Sequence, residues 1–142
     1  MTEDFVTFDI AKKLREKGFK EKCLAYYDVN DNVGLLYNTQ YTDDILPCQY
    51  TDLLASHNLN DVRLADDSEY CVDAPFISQV LKWLREEKKV VVSIRYLPDE
   101  HGDWDHSVET INGPGMHFSK NSYPTYEQSA LAGIEYVLNN LI

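Results

Sequence analysis

The chain is poor in the residues that staple or extend a fold. It has three cysteines, Cys23, Cys48 and Cys71, in 142 residues. An odd number, widely spaced, argues against a disulfide framework and against a local zinc knuckle. Small buried thiols in a reducing compartment are the simpler expectation. Six glycines and five prolines form no linker, low-complexity tract or repeat. No apolar run approaches the roughly 18 residues of a membrane span. The start, Met1-Thr2-Glu3-Asp4-Phe5, carries acid where a secretory signal carries base, so a cytoplasmic location is expected. Bases are few: 13 Lys and Arg face 24 Asp and Glu, a net charge of −11. Such a charge repels nucleic acid at long range.

What is present is enough for a core. Apolar residues make up 44% of the chain, and 2 Trp, 10 Tyr and 5 Phe exclude a disordered polymer. The length suits one α+β domain over residues 1–142. The charge is uneven. Residues 28–74 hold one base and ten acids, whereas residues 75–97 hold five bases and two acids.

The spacing predicts a first helix from Thr7 to Gly18. Thr7 can cap it, Asp9 suits the positive end of its dipole and Gly18 suits the left-handed position that ends it. Cys23 to Tyr27 and Val33 to Tyr37 read as paired strands around Asn30-Asp31-Asn32. Residues 38–72 show no sustained period, and short elements are expected there. Pro75, with Asp73 before it, fits the first turn of a second helix, whose stripe is Ile77, Val80, Leu81 and Leu84. Val90, Val92, Ile94 and Tyr96 alternate with Val91, Ser93 and Arg95, the period of a half-buried strand. Pro98 to Gly102 ends that strand. Weaker strand signals follow at Ser107–Ile111 and Met116–Phe118. Thr125 and Gln128 form a capping box for a last helix, with Ala130, Ile134, Val137, Leu138 and Leu141 on its apolar face. This order lacks β-α-β alternation, so the expected architecture is a mostly antiparallel sheet packed with about three helices.

Three pieces of the chain look alike to a known group. They are Cys23-Leu24-Ala25-Tyr26-Tyr27 after Gly18-Phe19; Ala74-Pro75 leading to Lys82-Trp83-Leu84-Arg85-Glu86; and Tyr126-Glu127 leading to Ala130-Leu131-Ala132-Gly133-Ile134. Together they resemble a family of small uncharacterised proteins of phages, prophages and mobile elements of gut bacteria. That family usually has Thr after Ala-Pro, where this chain has Phe76, so the helix start differs. The resemblance implies a bacterial or phage-infected cytosol and carries over no catalytic or binding residue.

Several clusters invite chemistry. Asp99-Glu100-His101-Gly102-Asp103-Trp104-Asp105-His106 concentrates metal-ligand types, but all on one short turn and without HExxH spacing. A solvated hairpin tip is the plainer reading. Asp28 to Gly34 resembles the start of a calcium loop, but its glycine is one place late and Thr39 stands where a bidentate Glu belongs. The helix bearing Gln79, Lys82, Arg85, Lys88 and Lys89, followed by a strand, has the look of a winged-helix recognition helix and wing. Against that stand the net charge and the absence of a visible three-helix unit. A dense carboxylate surface could instead imitate DNA and block a host DNA-binding enzyme. No nucleophile–base pattern or phosphate loop appears, so no catalytic, metal or cofactor residue is assigned and no cofactor is expected. The ten tyrosines suit core edges or a binding face. A non-catalytic module that binds a protein partner, or itself, is therefore the leading expectation. Nucleic acid is disfavoured by charge, and no membrane partner is expected.

Overall fold

The computed structural model describes residues 4–21, 23, 25–28, 35–37, 71–113 and 115–142, the side chains at 28, 35–37 and 71 excepted. They fall into two compact units, Met1–Phe76 and Ile77–Ile142. The class is α+β, with three helices among the described residues and two three-stranded antiparallel sheets. The strands are divided between the sheets, one in each unit. The division falls beside the change from the acidic stretch 28–74 to the basic stretch 75–97.

The first unit opens with α1, Phe8–Glu16. The Thr7 hydroxyl accepts from the Ile10 N–H at 3.4 Å, as its position before the apolar stripe predicts. The helix ends where Gly18 adopts φ +91°. There the Gly18 N–H donates to the Arg15 carbonyl and the Phe19 N–H to the Leu14 carbonyl, the paired bonds of a Schellman motif. Leu14 and Phe19 are both buried, so the cap also closes an apolar contact between the helix and the chain that leaves it. Burial of each such side chain contributes about 1.5–3 kcal/mol.

Strand β1, Ala25–Asp28, pairs with β2, Leu35–Tyr37, as the sequence predicts. The turn expected between them lies outside the described residues, as does all of the stretch 38–72, where short elements are expected, except Cys71 and Val72, which form strand. On its other side β1 pairs with β3, Cys71–Ala74. That strand corrects the expectation for Asp73. The residue is no helix cap; it lies within β3, 2% exposed. Pro75 is likewise outside the helix. Its carbonyl accepts from the Val6 N–H at 3.1 Å, and Phe76 bridges to Phe5 with the two rings stacked at 4.3 Å. A residue before proline is held extended, which favours strand over helix at Ala74.

The second unit runs α2, Ile77–Glu87; β4, Val90–Leu97; β5, Asp103–Thr110; β6, Met116–Phe118; and α3, Tyr126–Asn140. The β4–β5 hairpin pairs Val92 with Val108, Ile94 with His106 and Tyr96 with Trp104. Val108 in turn pairs with His117 on β6. Strand β5 begins four residues earlier than its apolar signal. Its acids alternate onto the outer face, where Asp105 takes two hydrogen bonds from Arg95, at 3.2 and 2.6 Å. Helix α2 buries Ile77, Val80, Trp83 and Leu84. Trp83 thus holds a buried place, and Leu81 is only half-buried. Helix α3 starts at the Thr125 cap, whose hydroxyl accepts from the Gln128 N–H at 3.1 Å. It buries Ser129, Ala130, Gly133, Ile134, Val137 and Leu138, while Leu141, past its end, is 41% exposed. Among the described residues no helix is long and apolar enough to cross a membrane.

Candidate binding surface

On the inner side of the second sheet, Trp104 meets Tyr126, and Val92 and His106 lie against Gly133 of α3. A Cβ built on Gly133 would lie 2.7 Å from a Val92 methyl and 3.2 Å from the His106 ring. Helix and sheet are therefore about one methyl too close for any residue but glycine there. This close approach arranges a series of rings along β5 and the start of α3.

At the hairpin end, Tyr96 and Trp104 lie at 5.0 Å between ring centroids, and Tyr126 meets Trp104 edge-on at 5.5 Å. Tyr96 is 51% exposed and Tyr126 39% exposed. The three form a corner with two rings open to water and one half-buried beneath them. The turn at the hairpin tip approaches it closely: a Cβ on Gly102, whose φ is +78°, would stand 3.2 Å from the Tyr96 hydroxyl oxygen. Asp99 and Glu100 on that turn are exposed, and Asp103 and Glu127 flank Trp104 and Tyr126 in the chain. Asp103 accepts from the Ser122 hydroxyl at 2.9 Å. Trp104 and Tyr123 exchange backbone bonds of 2.8 and 2.7 Å, which pin the half-buried ring's strand in place.

Further along β5, His106 is 4% exposed and stands 5.8 Å from the Tyr123 ring and 6.4 Å from His117. His117 stacks face to face on Tyr136 at 3.6 Å. Burial lowers the His106 pKa from the ordinary histidine value; His117 lowers it further and Asp105 opposes. The imidazole is thus kept neutral, and its Nδ1 has no hydrogen-bond partner. A shallow groove of about 270 Å³ beside the stack is lined by Val108, Thr110, Gly115, Met116, His117, Tyr136 and Leu141.

The clusters singled out in the sequence are arranged differently from a metal or nucleophile site. Strand alternation sends Asp103 and Asp105 to one face and His106 to the other, while Asp99 to His101 occupy the exposed turn. No group of three or more metal-ligating side chains converges among the described residues. The calcium-like segment lies mostly outside the described residues. Cys23 is buried, and its thiol donates to the Glu21 carbonyl at 3.4 Å. Burial, then the charges of Asp73 and Glu21, push its pKa well up, which holds the thiol protonated and unreactive.

The five residues of the α2 surface do not form one stripe. Lys82 and Arg85 are exposed, with Glu86 and Glu87 exposed beside them. Gln79 and Lys88 are half-buried, and the Lys88 ammonium sits 5.3 Å from the Trp83 ring. Lys89 closes the helix at φ +58° and donates to the Glu86 carbonyl at 2.8 Å. The aromatic corner was missed in the sequence because its members are far apart in the chain, although the turn signal at Pro98 to Gly102 contained the pairing of two of them.

Comparison with protein-family models, with curated proteins and with solved structures gives no match.

Proposed function

We propose that the chain is a non-catalytic protein-binding module of the phage type, acting in a bacterial cytosol, and that its contact surface is the Tyr96–Trp104–Tyr126 corner. The observation that carries this is the grouping of large exposed rings. Single exposed aromatics are ordinary, but rings packed edge to face at a surface offer a joined apolar area with polar ends. Tyr and Trp are enriched in interfaces for that reason. The rings hold one another in place, so little side-chain freedom remains to be lost on binding. The cellular setting rests on the residue likeness at the two ends and the middle helix.

The test is a tagged pull-down from host lysate, with and without nuclease, using the wild type and a Tyr96→Ala/Tyr126→Ala variant shown to be folded. A stoichiometric protein that survives nuclease and is lost with the variant is the expected result. Recovery that disappears with nuclease would overturn the reading and move function to nucleic acid at the Lys82 and Arg85 face.

A further inference from the structure

We infer that the Tyr96–Trp104–Tyr126 corner takes a cationic side chain, Arg or Lys, from a segment of a protein partner; this rests on the protein-binding reading above and names its chemistry. Three observations converge on it. The ring faces of Tyr and Trp are negative, and a cation above them is attracted electrostatically. The rings meet at 55° and 88°, so their faces are turned toward different directions around one corner rather than stacked away from solvent. The surroundings carry the same sign: Asp99 and Glu100 are exposed on the turn that abuts Tyr96, and Glu127 follows Tyr126 at the start of α3.

The corner is unfilled by this chain's own described cations. The chain uses the same interaction twice elsewhere, with Lys12 over Phe8 at 4.8 Å and Lys88 over Trp83 at 5.3 Å. Between Pro98 and Ile142 the one base is Lys120, against seven acids. Arg95 is held on the opposite face of the sheet by Asp105. None of the described cations of the second unit is placed over these rings, and a cation from a partner draws affinity from both the rings and the acidic field.

The measurement is a titration followed on the Trp104 indole N–H resonance of the isotope-labelled full chain. The probes are a ten-residue Gly/Ser peptide with two Arg and the same peptide with Gln in their places. The expected result is a saturable shift with the Arg peptide at about tenfold lower concentration than with the Gln peptide. That preference should vanish in Tyr96→Leu/Tyr126→Leu, which keeps apolar area and removes two ring faces, with backbone spectra verifying that the variant is folded. Equal response to the two peptides would overturn the cation proposal while leaving an apolar protein-binding surface. No response to either would also overturn it, and the pull-down then decides separately whether the corner binds protein at all. A shift that grows with protein concentration alone, and is lost in Lys82→Gln/Arg85→Gln, would overturn it in favour of a second copy as the cation's source.

Discussion

Replacing Gly133 with alanine tests whether the close approach of α3 to the second sheet is what positions the rings. Two opposed effects can be weighed. Glycine in a helix interior is about 0.5–1 kcal/mol worse than alanine, so with free space Gly133→Ala would stabilise by that amount. The space is not free. The new Cβ would stand 2.7 Å from a Val92 methyl and 3.2 and 3.3 Å from two atoms of the His106 ring. Carbon atoms in contact prefer about 3.5–4.0 Å, so the overlap with Val92 is close to an ångström. Val92 is β-branched, on the middle of a paired strand, and cannot easily turn its methyl aside. Overpacking of this kind costs about 1–3 kcal/mol. The net expectation is a loss of about 1 kcal/mol. Both tryptophans, Trp83 and Trp104, lie in the second unit, so tryptophan fluorescence during urea unfolding reads that unit directly. Val92→Ala removes the offending methyl, and the double variant should recover about 1 kcal/mol relative to the sum of the single changes. Stabilisation by Gly133→Ala, or additive behaviour of the pair, would refute the reasoning.

Two further outcomes follow from the same unit. The folded state lowers the His106 pKa, so below the ordinary histidine value near 6.5 the unfolded chain binds more protons than the folded one. Stability from this group is complete above about pH 6.5 and declines as pH falls through the lowered pKa, with a slope of at most about 1.4 kcal/mol per pH unit for one proton. Urea midpoints at pH 7.5 and 5.5 should therefore separate in the wild type and draw closer in His106→Gln; equal separation in both would assign the effect elsewhere. Thr125→Ala should lower stability by about 1 kcal/mol through loss of the bond to the Gln128 N–H, and Thr125→Ser should restore most of it.

Much of the fold was legible because its signals are local. Thr7, Gly18 and Thr125 mark helix ends through hydrogen bonds within a few residues, and the structure places all three as caps or left-handed terminators. The alternation from Val90 to Tyr96 gave the strand and its inward face. The misses have non-local causes. Val72-Asp73-Ala74 is a strand because β1 pairs with it, and Asp73 is buried there although an aspartate beside Pro75 reads locally as a helix start. The early residues of β5 are acids on an outer face, so hydrophobic period could not reveal them. Gly133 reads in sequence as a weak point in a helix; only the sheet beneath explains it.

The candidate site was partly derivable, and the step that was missing is short. A hairpin turning about residue 100 pairs residues equidistant from it, which sets Tyr96 opposite Trp104 and Ile94 opposite His106. Pro98 to Gly102 was already legible as the turn, so two members of the corner could have been joined by register alone. Tyr126 could not. It reaches Trp104 only because α3 begins at Thr125 and then lies close enough on the sheet, through Gly133, to bring its first turn over the hairpin end. The same two facts separate the corner from the histidines: rings at the start of α3 stay open to water, and His106, opposite Gly133, is shut in and kept neutral. Composition counts tyrosines, but it is register and helix depth that decide which of them stay open to water.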